Sequence, residues 1–270
     1  SVEVRDASLD AAIPLGEVWV RFSTGKPDVV APQVERVVDR TRAAGIKAVV
    51  KQVRTLTLSG RFLVIPDAYG SSKDARQRYR TAAIAALAGL AIGEPVSQRK
   101  LAALAFRVAG LADMGEVQLD YVRGSDAALA IDQDPFVLDA GEQARPDAGA
   151  LEVVALHALD ASAASLATDG SLSLSLRILD DDGKPVHFRR LELALLATVR
   201  AKPATTPNQP LQQVAQVAGT ISFTAAEQAA PSFAKLVIAN LASLDASSIE
   251  LMVQATAYPG MVAAKTRLTT

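Results

Sequence analysis

Apolar positions recur along this chain with two different periods, and the period changes near the middle. Between Ser71 and Gly110 the spacing is helical. Ser71 and Ser72 open a helix, with Asp74 three residues after Ser71 as a capping-box-like acid. Ile84, Leu87, Leu90 and Ala91 then recur as one helix face, and Gly93 is expected to stop it. Ser97 caps a second helix with Leu101, Leu104, Ala105 and Val108 as its buried stripe and Gly110 at its end. Val117, Leu119 and Tyr121 next alternate with Gln118 and Asp120, the period of a half-buried strand.

Upstream, Val2–Arg5 and Glu17–Phe22 alternate like short strands, and Ser23-Thr-Gly-Lys-Pro27 has turn chemistry. Pro32 suits a first helical turn, where its missing N–H costs nothing. Val34, Val37, Val38 and Thr41 line one face of that helix, and Gly45 ends it. Ile46–Val53 and Thr55–Leu58 read as strands, with Ser59-Gly60 turning the chain into Phe62–Ile65 and Pro66 and Gly70 closing the unit. The order strand, helix, strands, two helices, strand argues for an α/β sandwich with its helices on one face.

From Gly124 to Gly149 the chemistry is that of turns and linkers around one short apolar strand, Phe136-Val-Leu138. A domain boundary is expected near Gly149. Beyond it the period is that of strands: Leu151–Leu156, then Ser171–Leu179 with one apolar and one hydroxyl face. Asp181-Asp-Gly183 turns that strand, and Leu191–Val199 is expected to return beside it as a hairpin. Gly219–Phe223, Phe233–Ile238, Ile249–Ala257 and Val262–Leu268 supply more strands, and Pro203, Pro207 and Pro210 mark a long loop. The fold class expected is α+β: an N-terminal α/β-sandwich domain over 1–149, with an arm over about 124–149, and a mainly-β sandwich-like domain over 150–270.

Composition narrows the functions open to such a chain. Half of its 270 residues are hydrophobic but only 4% are aromatic, so its core is built from Ala, Val, Leu and Ile. Lys/Arg and Asp/Glu number 19 each in residues 1–150, and 9 and 10 in the rest. Neither half is basic, which argues against nucleic-acid binding through phosphate contacts. The absence of cysteine removes disulfides, thiolate metal sites and thiol nucleophiles together. The longest apolar run, Ala82–Ile92, falls short of the ~20 residues a membrane span needs. No signal peptide is expected.

Catalytic constellations are scarce. His157 and His187 have no Gly-x-Ser-x-Gly elbow to serve and are too few for a zinc site. Asp180-Asp-Asp-Gly183 lacks the ligand spacing of an EF-hand loop and reads as a solvated turn. Asp132/Asp134 and Glu116/Asp120 are available as paired acids for glycoside hydrolysis, without aromatic platforms beside them. Trp19 is expected in a core or an interface. No phosphate-binding glycine loop occurs. The basic stretch Lys73, Arg76, Arg78 and Arg80 reads either as a solvated helix face or as a docking patch. Its place at the positive end of a helix adds weight to docking. No enzyme activity, cofactor, metal or small-molecule substrate is expected.

Three of these segments, taken in order, resemble one family. The run Ala82–Gly93-Glu-Pro-Val-Ser97 with its following helix and Gly115-Glu-Val-Gln-Leu is similar to the baseplate J-like proteins, wedge components of contractile phage tails and related injection machines. Pro32-Gln-Val-Glu-Arg-Val-Val-Asp39 followed by Arg42-Ala-Ala-Gly-Ile-Lys-Ala-Val-Val50 resembles that family's upstream helix–strand unit. Asp134-Pro-Phe-Val-Leu-Asp-Ala-Gly-Glu-Gln143 resembles the segment after its last strand. The match covers roughly residues 17 to 146.

The resemblance implies a structural protein in a ring of wedges, assembled in the cytoplasm and then part of a phage tail or tail-like particle. Its partners would be other wedge proteins and copies of itself, with no nucleic acid and no membrane insertion. The segment 128–146 is the expected inter-subunit arm, with Phe136, Val137 and Leu138 as buried contacts and Arg76 and Arg80 as further interaction residues. A different class of function is a carbohydrate-binding or adhesive β-module of an extracellular fibre; the shortage of aromatics speaks against sugar stacking. A hydrolase has no constellation in its favour.

Overall fold

The computed structural model describes residues 2–24, 26–68, 71–166, 172–189, 191–206, 208–223, 228–229, 232–233, 243–258 and 260–268. Gly25, Tyr69, Gly70, Ser171, Pro207 and the 234–238 part of the strand expected over Phe233–Ile238 lie outside them. The chain is mostly β, with 49% in strands and 20% in helices, so sheets rather than the alanine-rich helices carry the architecture.

The elements run β1 (Val2–Asp6), β2 (Glu17–Phe22), α1 (Pro27–Thr41), β3 (Lys47–Gln52), β4 (Arg54–Pro66), α2 (Ser72–Ala88), α3 (Gln98–Leu104), β5 (Leu111–Arg123), β6 (Leu129–Ala130) and β7 (Glu142–Leu166). Then follow β8 (Leu172–Asp180), β9 (Leu191–Ala201), β10 (Gln212–Phe223), β11 (Gln228–Ala229), β12 (Ser232–Phe233), β13 (Glu250–Ala255) and β14 (Ala264–Arg267). They form three sheets, ordered β1-β2-β3, β12-β10-β9-β13-β14 and β11-β8-β7-β4-β5-β6. Two compact units are interleaved along the sequence. The first comprises Ser1–Gly60, Ala82–Leu101 and Leu119–Leu151, and the second Arg61–Thr81, Ala102–Gln118 and Glu152–Thr270.

In the first unit, β1 pairs antiparallel with β2, and β2 pairs parallel with β3. Parallel neighbours need a crossover, and α1 supplies it. The helix starts at Pro27, five residues before the expected Pro32, which sits inside it. Pro27 takes the first-turn position where a missing N–H is harmless.

β4 is one 13-residue strand where two strands and a turn were expected. Gly60 holds φ +144°, a conformation that side-chain-bearing residues rarely adopt, so the strand distorts there without reversing. The segment Arg145–Gly149, with its linker chemistry, is strand too: β7 passes through it for 25 residues.

α2 buries Ala75, Tyr79, Ala83 and Leu87, one residue per turn, where the apolar spacing pointed to Ile84, Leu87, Leu90 and Ala91. Small alanines let the helix approach its neighbours, and Tyr79 fills the space with its ring edge-on to Phe62 at 5.4 Å. The helix ends at Ala88, short of Gly93. Ser71 caps it as expected, its Oγ accepting from the Asp74 amide at 3.4 Å. Ser97 Oγ accepts from the Lys100 amide at 3.2 Å at the start of α3.

The second unit holds a β-sandwich-like core. β9 shows why: Leu191, Leu193, Leu195, Ala197, Val199 and Ala201 all point inward, and Glu192 and Arg200 point out. Leu63, Leu156, Leu176, Ile178, Leu251 and Val253 meet them in one cluster. The expected hairpin from Ser171–Leu179 to Leu191–Val199 does not form. β8 pairs with β7, and β9 pairs with β10 and β13 in the other sheet. The turn closes on itself, with the Val186 amide donating to the Ile178 carbonyl at 2.9 Å. Buried Val186 and Phe188 then draw the chain into the core and away from β8.

Candidate interaction surfaces

An apolar concavity lies within the first unit, between α1 and the sheet β1-β2-β3. Alternation along the strands sends Val2 and Val4 of β1, Val18 and Val20 of β2 and Ala48 of β3 to the same side. Helical spacing aims Val30, Val34, Val37 and Val38 of α1 toward them. The groove so formed encloses about 560 Å³, with Gln33, Thr41 and Arg42 as its only polar side chains.

One helix is about 10 Å wide, and three strands at about 4.8 Å spacing with their side chains are wider than that. α1 packs on β3, and among the described residues the β1 side stays uncovered. Val2 is 65% exposed, Val4 58% and Val37 60%. Apolar surface gathered in one concavity is a candidate interaction site, whereas scattered exposed valines are not.

The opposite face of the same sheet is polar, and its charges pair with one another. Arg21 is buried and pairs with Asp10 at 3.3 Å and Glu3 at 3.5 Å. Lys51 Nζ sits 3.1 Å above the Trp19 ring, whose Nε1 donates to Glu17. Lys47 bonds Glu17 at 2.6 Å, and that bond holds the Glu17 carboxyl below its ordinary range. Trp19 is thus half-buried beneath charges rather than set in a core.

The arm around residue 136 folds onto its own unit. Phe136 exchanges backbone hydrogen bonds with Val96 at 2.8 and 3.0 Å, and its ring lies 4.8 Å from that of Tyr121. Asp134 accepts from the amides of Gln98 and Arg99 at 2.9 and 3.1 Å, closing the start of α3. Leu138 is buried and Val137 is 70% exposed. Phe136 and Leu138 therefore serve contacts within the chain, and Val137 alone of the three faces solvent.

The basic helix start and the acidic turn, unrelated in sequence, meet. Arg76 Nη2 lies 2.9 Å from Asp181 Oδ2, which also accepts from Ser72 Oγ at 3.0 Å. Arg76 is thus part of an internal ion pair. Arg80 is half-buried, and Lys73 and Arg78 are exposed. Asp180 folds over its own turn, accepting from the amides of Asp182 and Lys184.

His157 and His187 are both exposed. Among the described residues no three His, Asp or Glu side chains gather as a metal site. Of the paired acids, Asp134 caps α3, and Glu116 accepts from Gln118 Nε2 and from the Arg189 amide. No described helix is long and apolar enough to cross a membrane.

Two charged clusters carry no motif in the sequence. Glu142 is buried in the first unit and gripped by Arg123, whose guanidinium pKa is raised by that hydrogen bond. In the second unit Arg200, Glu250 and Arg267 stand opposite one another on β9, β13 and β14. The second could have been found by noting that Arg200, Lys265 and Arg267 occupy outward positions of alternating strands.

Compared with protein-family models the chain matches none, and compared with the curated proteins it likewise matches none.

Proposed function

We propose that the chain is a structural component of a contractile-tail baseplate wedge, acting through protein–protein assembly and conformational change and not through turnover of a substrate. The observation that carries this reading is the valine-lined groove beside α1, an apolar surface with room for one more helix over β1. Its occupant in this reading is an amphipathic helix of a neighbouring wedge protein, lying beside α1 with its apolar face on Val2, Val4 and Val20. The finer architecture belongs to the same reading: an α/β-sandwich wedge part and a mainly-β sandwich-like part. So do its partners, other wedge proteins and further copies of the chain, and its place, the cytoplasm during assembly and then a tail or tail-like particle.

The test is recovery of the tagged full chain from its native lysate, with partners identified by mass spectrometry. Wedge, sheath or tube proteins are expected, and Val4→Asp with Val37→Asp should abolish their recovery. Recovery indifferent to those substitutions would remove the groove from the mechanism. Binding to glycans in place of tail proteins would replace the wedge reading with the adhesive one.

A further inference from the structure

The geometry points to a second interaction surface, on the outer face of β9, β13 and β14, that receives an extended acidic segment of a partner protein. Arg200 is directly opposite Glu250, and Glu250 is directly opposite Arg267, so the three form a row across three strands. Lys265 lies in the next outward row, opposite Met252. These side chains line a depression of about 240 Å³. Arg200, Lys265 and Arg267 are exposed, and none of the four charged side chains makes a hydrogen bond or ion pair among the described residues. Three cations thus stand near one carboxylate, and none of them is ion-paired among the described residues. Arg76, Arg123 and Arg177, by contrast, are ion-paired, with Asp181, Glu142 and Asp160.

The spacing selects the partner. Adjacent strands lie about 4.8 Å apart, so Arg200 and Arg267 stand about 10 Å apart across the sheet. A peptide in the extended polyproline II conformation advances about 3.1 Å per residue with three residues per turn, so carboxylates three positions apart lie on one face about 9 Å from each other. A segment crossing the strands with Asp or Glu at i and i+3 places one acid on each arginine. Glu250 requires that the residues between be uncharged or basic. Met252 offers an apolar floor to one of them. Nucleic acid and sulfated polysaccharide carry negative charge at every repeat and meet Glu250 with repulsion, whereas a peptide can leave that position empty of charge. The inference needs only these charges and does not rest on the wedge reading.

The probe is a fluorescent 12-residue peptide with Glu at every third position and Ser elsewhere, titrated into the full chain by anisotropy. Saturable binding that weakens as salt rises is expected. Arg200→Gln with Arg267→Gln should lower affinity at least tenfold, and Arg78→Gln should leave it unchanged. Glu250→Gln should tighten binding severalfold, a gain that a misfolded variant could not show. Absence of binding, indifference to the double substitution, weakened binding in Glu250→Gln, or tighter binding of heparin or a single-stranded oligonucleotide than of the peptide would each overturn the proposal.

Discussion

Arg123 holds Glu142 at two points, Nε to Oε1 at 3.1 Å and Nη2 to Oε2 at 3.2 Å, and the carboxylate it holds is almost entirely out of water. Oε2 also accepts from the Asp139 amide at 3.0 Å, so the same carboxylate ties the turn before β7. Arg123→Ala leaves that charge with Arg54 at 3.8 Å as its remaining cation, on a largely exposed side chain. The expected loss is about 2–3 kcal/mol, below the value for a fully buried pair because Arg123 is one-third exposed. Glu142→Gln, which removes the charge and keeps the shape, should cost about 1 kcal/mol. Urea unfolding midpoints at constant slope decide between them.

Alkaline pH should weaken the fold through Tyr258. Its phenol is pushed up to about 12 by burial and by the hydrogen bond it donates to Asp113 at 2.7 Å. Below about pH 10 both folded and unfolded chains keep the proton, and the full stability is present. As pH rises from 10 toward 12 the unfolded chain loses its proton first, and stability falls. Tyr258→Phe should flatten the fall in that window. Phenolate absorbance should show one late-titrating tyrosine fewer in the variant.

Gly260 has no room for a side chain. A Cβ there would lie 2.9 Å from the Ala68 amide nitrogen, 3.0 Å from its Cα and 3.1 Å from the Pro66 carbonyl oxygen, all backbone atoms that cannot turn aside. Gly260→Ala should destabilise by about 1–3 kcal/mol. A thermal midpoint equal to that of the parent chain would show that the 260 loop can move instead.

The apolar face of β1 should matter little to the isolated chain. Val4→Asp is expected to change stability by no more than about 0.5 kcal/mol, since Val4 already faces water. Leu193→Ala, in the sandwich core, should cost about 2–5 kcal/mol. If Val4→Asp proved as damaging as Leu193→Ala in chemical denaturation, β1 would be a core strand and the groove no docking surface.

Local chemistry was readable in the sequence where it acts over a few residues. Ser71 and Ser97 cap their helices, Glu17–Phe22 is a strand to the residue, and Asp181-Asp-Gly183 does turn the chain. What was not readable is where an element goes next. The hairpin expected after Leu179 fails because Val186 and Phe188 find a core that only the whole sandwich creates. Ser59-Gly60 looked like a turn because glycine serves both turns and bent strands, and only the neighbouring strands of the sheet decide between them. Tyr79 stands among arginines and carries no apolar spacing of its own, although its ring is fully buried. The Arg76–Asp181 pair joins residues far apart in sequence, and no spacing rule could have matched them.

The interleaving of the two units has a consequence for how the protein is made. Leu63 and Val253 share one core, yet a ribosome delivers them 190 residues apart. The first unit waits for Leu151, and the second keeps β4 exposed until its last strands emerge. Pairings of such long range slow folding and leave sheet edges open to wrong partners in the meantime. A gene cut near the codon for Gly149 would sever β7 and leave unfinished sheets on both sides, so recombination can exchange the two units together but not one at a time.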